Sequence, residues 1–178
     1  MTAVPKLVLL NGPPAVGKST LARRYADEHP LTLVLEIDVV RALLGSWLED
    51  WQRSGTVARE IALVMARTHL EAGHDVIVPQ LLVRRPFVEM LQAAAESVDA
   101  SFHEFALLDP RDVVLTRLAE RDEPVGAFSS RALMEKQGNA PGDAYDDFVA
   151  ALAERPDAIV IQDPLSPAAY ASLLELLT

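Results

Sequence analysis

The chain has 178 residues, half of them hydrophobic, so it can bury the core of one domain. It contains no cysteine, which excludes disulfides, thiolate metal sites and cysteine nucleophiles. The net charge of −10 argues against a nucleic acid or an anionic membrane surface as partner and suits a neutral or cationic small molecule. Because neither a signal peptide nor a membrane-spanning stretch is evident, we expect a cytoplasmic protein.

Strand-like and helix-like segments alternate along the chain, which predicts a parallel sheet with helices on both faces. The predicted strands cover residues 7–10, 31–38, 75–80, 102–109 and 158–163. Predicted helices cover residues 19–27 and 56–72 and begin again near residues 86, 110 and 167. Residues 31–38 alternate between apolar and more polar side chains, a pattern typical of an edge strand. In the helix over 56–72, Ile61, Val64, Met65 and Thr68 fall on one face.

Two segments interrupt this alternation, and long irregular stretches in a compact domain usually carry function. Residues 41–55 contain both tryptophans, and we interpret them as a mobile substrate-binding segment. Residues 120–147 are rich in charge, glycine and proline, and we interpret them as a lid. Residues 1–178 then form a single domain with two mobile parts.

The sequence NGPPAVGKST follows the first predicted strand and contains a complete Walker A pattern. Its glycines let the backbone curl so that N–H groups point at phosphate oxygens, and the next helix adds the positive end of its dipole. Lys18 can reach the β- and γ-phosphates, and the Ser19 hydroxyl can bind Mg²⁺. We therefore predict ATP and Mg²⁺ as cofactors. The predicted nucleotide-binding residues of this loop are Gly12, Pro13, Pro14, Ala15, Val16, Gly17, Lys18, Ser19 and Thr20.

Asp38 ends the second predicted strand, at the sheet edge where ligands bind in α/β proteins. Phosphoryl transfer to an alcohol needs a carboxylate that orients the hydroxyl and accepts its proton, and Asp38 is the best candidate. Its alternative role is that of a helix N-cap. Glu36 shares the strand face of Asp38 and is the second candidate base. Arg41, one helical turn further on, either positions a substrate or forms a surface salt bridge.

Further cations and aromatic residues are candidates for ligand contact. Arg117 and Arg121 lie four residues apart at the entrance to the lid, on one helix face. Cations that close over the γ-phosphate suit a kinase, although a solvated helix face is the ordinary alternative. Arg84 follows the third strand toward the same rim of the sheet. Trp47 and Trp51 form either an aromatic wall against the substrate or the core-facing side of a short helix.

Together, the Walker A loop, Asp38, the segment DPRDVVLTRLAER and the sequence QDP after the fifth strand resemble small P-loop kinases. The chloramphenicol phosphotransferase-like branch is the most similar. The resemblance implies a three-layer αβα sandwich with a five-stranded parallel sheet in order 2-3-1-4-5 and a helical lid. It implies transfer of the ATP γ-phosphate to a hydroxyl, with Asp38 as the base and Lys18 as a catalytic cation. By the same resemblance, Arg117 packs on the adenine, Arg121 is the catalytic lid arginine, and residues 162–165 form the adenine-side loop.

One position departs from the family. Many members end the third strand with an aspartate that helps to hold Mg²⁺ through water, whereas this chain has Pro79 and Gln80. Gln80 brings no charge and is a candidate for binding a water or the substrate, which leaves Mg²⁺ to Ser19, the phosphates and Asp38.

The acceptor that we expect is a small hydroxylated molecule, a natural product or an antibiotic that phosphorylation would inactivate. Its predicted binding residues are Asp38, Arg41, Trp47, Gln80 and Arg84. The alternatives are a polynucleotide, nucleoside or sugar kinase of the same fold and a nucleotide-dependent regulatory ATPase.

Overall fold

The computed structural model describes residues 4–120 and 140–178. Five parallel strands form one sheet in the order β2-β3-β1-β4-β5. The strands are β1 (Lys6–Asn11), β2 (Leu33–Val34), β3 (Val76–Pro79), β4 (Ser101–Leu108) and β5 (Ile159–Gln162). The α/β class and the order 2-3-1-4-5 are confirmed, and β2 lies at an edge, as its alternating side chains predict.

Helices cover both faces of the sheet. Successive residues of β1 point to opposite sides, and the apolar side chains on both sides are buried under helices. Leu7 and Leu9 belong to one buried cluster, and Val8 and Leu10 belong to the other. The helices of the described residues are α1 (Lys18–Glu28), α2 (Ile37–Ala42), α3 (Trp51–Glu71), α4 (Arg85–Glu96), α5 (Arg111–Glu120), α6 (Pro141–Leu152) and α7 (Pro167–Leu176). Helices α2, α3 and α4 supply the first cluster, and α1, α5 and α7 supply the second. Within these helices, none combines the length and the apolar character that a membrane span requires.

The second strand, predicted over residues 31–38, is wrong except at Leu33–Val34. The backbone of Leu35 still donates to the carbonyl of Ile77 at 2.9 Å, but the chain then turns into α2. Asp38 consequently lies in the first turn of a helix and not at the end of a strand. Because β2 contributes only two residues to the sheet, the edge of the sheet is short here, and the helix that follows carries the candidate base.

Helix α3 differs from its prediction in two ways. It begins at Trp51, because the Asp50 side chain accepts a hydrogen bond from the Arg53 amide, so residues 51–55 are helical and not irregular. Its buried face consists of small residues at four-residue spacing and one leucine, namely Ala58, Ala62, Ala66 and Leu70. The larger apolar residues Ile61, Val64 and Met65 are exposed. Small side chains let the helix axis approach the sheet closely, and this close packing decides which face is buried.

Candidate active site

The loop of residues 12–17 joins β1 to α1 with a backbone that curls back on itself. Ala15 and Gly17 have φ angles of 62° and 107°, both in the left-handed region that glycine adopts most easily. A Cβ at Gly12 would lie 2.7 Å from the Leu107 carbonyl oxygen, and one at Gly17 would lie 2.6 Å from the Leu165 side chain. Both positions therefore need glycine, and the loop keeps a concave backbone surface of the kind that binds phosphate.

Lys18 and Ser19 are the first two residues of α1, directly beside this concave surface. The Lys18 ammonium donates to the carbonyl oxygens of Gly12 and Pro13, at 2.9 and 2.7 Å, which holds the cation over the loop. A helix N-terminus with an adjacent lysine fits the β- and γ-phosphates of ATP. The residues present thus fit the predicted nucleotide.

Ser19 is the residue that fits Mg²⁺, because its hydroxyl follows the phosphate-binding lysine directly. Across residues 4–120 and 140–178, no three His, Cys, Asp or Glu side chains form a group that could hold a metal ion. Ser19, the phosphate oxygens and Asp38 are the groups that would hold Mg²⁺, which would supply positive charge next to the transferred phosphoryl group.

The Asp38 carboxylate has a different neighbour on each oxygen. The Gln80 amide nitrogen donates to Oδ2 at 3.4 Å, a long hydrogen bond, and Arg41 Nη1 lies 3.7 Å from Oδ1. The Gln80 backbone in turn donates to the Leu10 carbonyl oxygen at 3.1 Å, in the strand that leads into the phosphate-binding loop. About half of the Asp38 side chain is exposed, at 49%. A half-exposed carboxylate with neighbours on both oxygens can accept a proton from a bound alcohol.

Glu36, and not Asp38, occupies the N-cap position of α2, so the N-cap alternative for Asp38 is wrong. The Glu36 side chain makes no capping hydrogen bond within the described part of the chain. Its carboxylate lies 3.6 Å from Arg23 of α1. Glu36 thus faces a cation of its own and remains the second candidate base.

Arg41 is buried, with 8% of its surface exposed. Its ion pair with Asp38 is therefore not the surface salt bridge that the sequence allowed. Its guanidinium lies 3.7 Å above the Trp51 ring and donates to the Trp51 carbonyl oxygen at 3.3 Å. A Cβ on Gly55 would lie 1.9 Å from Arg41 Nη2, so this glycine leaves the space that the guanidinium fills. Burial lowers the pKa of Arg41, which Asp38 raises and Arg59 lowers further. Arg41 thereby links Asp38 to the beginning of α3.

The two tryptophan rings lie 5.8 Å apart at an angle of 43°. The Ser54 hydroxyl donates to the carbonyl oxygens of Trp47 and Trp51, at 2.9 and 3.1 Å, which ties the turn before α3 to the first turn of that helix. Trp51 thus packs on Arg41, whereas Trp47 is half-buried beside it. Arg84 is exposed at the N-cap position of α4.

Arg117 lies on the β4 side of the sheet, where its guanidinium donates to Asp109 Oδ2 at 2.5 Å. Asp109 follows β4 and is buried, and its backbone carbonyl accepts a hydrogen bond from the Tyr145 hydroxyl at 2.9 Å. The Arg117 side chain is 32% exposed, so part of the guanidinium can contact a ligand. Arg121 lies outside the described residues, as do residues 122–139 of the predicted lid. The described end of that segment forms the first turns of α6.

Sequence reasoning missed three buried polar residues below this rim: Asn11, Glu104 and Arg155. Asn11 and Glu104 lie in β1 and β4, and Arg155 follows α6. The available signal was Glu104, in the middle of the mostly apolar strand SFHEFALL, because a charge buried in a strand needs a partner.

Comparison with known proteins agrees with this architecture. A profile of the AAA domain family matches residues 7–140, which is more than half of the chain. No curated protein sequence matches. A sugar kinase from Janibacter sp. HTCC2649 has 20% identity and a TM-score of 0.63, covering 98% of this chain and 95% of that one.

Two further structures are similar over their whole lengths. The tunicamycin resistance protein of Deinococcus radiodurans has 17% identity and a TM-score of 0.61, with 97% of this chain and 95% of that one covered. A gluconokinase from Sinorhizobium meliloti 1021 has 14% identity and a TM-score of 0.56, with 98% and 96% covered. These likenesses show that the chain shares the fold of these proteins, which is the P-loop fold that the resemblance to small P-loop kinases implies.

Proposed function

Because the chain belongs to the AAA domain family and has a kinase-type P-loop fold, we propose that it transfers the γ-phosphate of ATP to a hydroxyl of a small molecule. The observation that carries this proposal is the Asp38 carboxylate, held between Gln80 and Arg41 beside the strand that leads into the phosphate-binding loop. ATP hydrolysis also needs a group that orients the attacking water, so the transfer screen described below decides between an alcohol and water as the acceptor.

In the proposed reaction, the acceptor oxygen forms a bond to the γ-phosphorus while the bond from that phosphorus to the ADP oxygen breaks. The proton of the acceptor hydroxyl passes to Asp38, whose orientation is set by Gln80 and Arg41. Lys18 offsets the negative charge of the phosphate groups from the loop side. Arg117 is proposed to contact the adenine, and Arg121 to close over the γ-phosphate from the lid.

A neutral natural product or antibiotic is the proposed acceptor. The net charge of −10 disfavours polyanionic acceptors. Residues 43–48 present an apolar surface near Asp38 in the chain, with Leu43 80% and Leu48 39% exposed. Such a surface suits a ligand with an apolar part as well as a hydroxyl. A sugar is the second candidate, favoured by the sugar kinase and the gluconokinase among the similar folds.

The test is a phosphate-transfer screen with γ-labelled ATP across aminoglycosides, nucleoside antibiotics, phenicols, sugars and oligonucleotides. We expect labelled product from a neutral small molecule, a requirement for Mg²⁺, and no product with Lys18→Ala. Transfer to oligonucleotides with binding that weakens steeply with salt would instead identify a polynucleotide kinase. ATP hydrolysis without any acceptor, stimulated by a protein partner, would contradict the proposal and indicate a regulatory ATPase.

A further inference from the structure

A buried polar network lies below the acceptor side of the sheet and takes no part in the proposed chemistry. Its charged members are Glu104 and Arg155, whose side chains are 9% and 4% exposed. Its third member, Asn11, is fully buried and directly precedes Gly12, the first glycine of the phosphate-binding loop. The network is therefore directly adjacent in the chain to the phosphate-binding loop.

Arg155 makes contacts with its two terminal nitrogens in different directions. Nη1 donates to Glu104 Oε1 at 2.7 Å, while Nη2 donates to the backbone carbonyl oxygens of Leu82 and Val83 at 2.8 and 2.7 Å. Two of its three hydrogen bonds thus go to the segment that follows β3. That segment begins with Gln80, the partner of Asp38.

Asn11 holds the same segment from the other side. Its amide donates to the Leu82 carbonyl oxygen at 3.0 Å and to Glu104 Oε1 at 2.8 Å, and its own carbonyl oxygen accepts from the Leu82 amide at 2.8 Å. The Asn11 side chain therefore forms hydrogen bonds with both backbone groups of Leu82. These bonds connect β1 to the segment after β3, just beyond the end of the sheet. The Arg85 guanidinium adds a further tether, to the Glu154 carbonyl oxygen at 3.3 Å.

Stability alone is a weak explanation for this network. A buried ion pair usually contributes little, because desolvation offsets the attraction, and apolar residues of similar volume often serve as well. Here the cost is higher still, since Arg155 Nε is buried without a hydrogen-bond partner among the described residues. What the ion pair does provide, and apolar packing cannot, is a fixed position for two backbone carbonyls.

We propose that Arg155 is a positioning residue of the acceptor site. Together with Glu104 and Asn11, it fixes the backbone at residues 82–83 and so sets the distance between the Gln80–Asp38 pair and the phosphate-binding loop. The consequence for catalysis rests on the proposed function, whereas the anchoring of residues 80–84 does not depend on it. An acceptor hydroxyl must be placed closely against the phosphate, so small displacements of this segment lower the rate strongly.

Two variants separate positioning from stability. The double variant Arg155→Met with Glu104→Gln removes both charges but keeps an oxygen for Asn11, so no unpaired charge stays buried. Arg155→Lys keeps the charge pair with Glu104, but its single nitrogen cannot span that carboxylate and both carbonyls. We expect both variants to melt close to the wild-type temperature. A matched control is Arg67→Met with Glu71→Gln, which removes an exposed ion pair within α3.

Amide hydrogen exchange and steady-state kinetics are the readouts. We expect exchange at residues 80–84 to accelerate about tenfold or more in both variants, with α1 and the control variant unchanged. We expect the acceptor kcat/KM to fall about tenfold while ATP affinity stays within about twofold of wild type.

Unchanged exchange at residues 80–84 would overturn the inference, and so would faster exchange with wild-type acceptor kinetics. If the wild-type chain phosphorylates no acceptor but the variants still exchange faster, the proposed function fails while the anchoring by Arg155 stands.

Discussion

The phosphate-binding loop and the acceptor side of the sheet are built on different principles. Six consecutive residues form the loop, and Lys18 is held by the carbonyls of Gly12 and Pro13 close by in the chain. The acceptor side depends on contacts between distant segments, such as the hydrogen bond between Gln80 and Asp38, 42 residues apart. A local motif therefore encodes the nucleotide half of the site, whereas tertiary packing encodes the acceptor half.

We expect the largest loss of activity when the phosphate-binding loop loses the Lys18 ammonium. In Lys18→Ala, no ammonium faces the β- and γ-phosphates, so we expect kcat/KM for ATP to fall about 10³-fold or more. Lys6→Ala, at the other end of β1, is the matched control and should retain activity. Comparable activity in both variants would remove the loop from the mechanism.

The acceptor side should be sensitive to a single methyl group. Gly55→Ala places a Cβ 1.9 Å from Arg41 Nη2, which must displace the guanidinium from Trp51 and Asp38. We expect acceptor kcat/KM to fall about tenfold at unchanged ATP affinity, although alanine favours a helix by about 1 kcal/mol over glycine. Thr56→Ala, at an exposed neighbouring position of α3 outside the predicted substrate segment, is the control. Equal kinetics for the two variants would show that Arg41 does not orient Asp38.

The smallest effect is expected at the long hydrogen bond from Gln80 to Asp38, within the acceptor side. Gln80→Leu keeps the side-chain volume but removes the hydrogen-bond donor to Asp38. We expect kcat to fall about threefold, because this hydrogen bond from a neutral amide to a carboxylate is long and weak. Gln92→Leu removes an exposed glutamine bond within α4 and should leave kcat unchanged. A loss of ATP affinity in Gln80→Leu would instead place this residue with the nucleotide half.

Local patterns in the sequence predicted the parts of the fold that local interactions determine. The glycines of the loop, the β1 strand and the start of α7 near residue 167 all follow from residues close in the chain. The strand order followed from family resemblance, and the alternation over residues 31–38 independently indicated an edge. Asp38 was singled out because it ends the second predicted strand; it lies in the first turn of α2 instead, and its role as the base stays a prediction.

The errors arose where packing between distant segments determines which residues are buried. The buried face of α3 consists mainly of alanine because close approach to the sheet outweighs the burial of Ile61 or Met65, and periodicity weighted by large side chains indicates the opposite face. The burial of Arg41 was not predicted by either of its two proposed roles, since nothing nearby in the sequence shows that Gly55 opens a space for its guanidinium. Arg155 gave no local signal at all, because its partners lie 51 to 73 residues away.

The most direct test compares the two candidate bases on the acceptor side. Asp38→Asn keeps the shape and the neighbours of the side chain but removes the proton acceptor, whereas Glu36→Gln makes the same change beside Arg23. With kcat measured on the acceptor found in the screen and ATP affinity measured separately, we expect Asp38→Asn to lose about 10²-fold in kcat at nearly unchanged ATP affinity. Glu36→Gln should keep near-normal turnover. Normal turnover in Asp38→Asn, or its loss in Glu36→Gln, would contradict the assignment of Asp38 as the base.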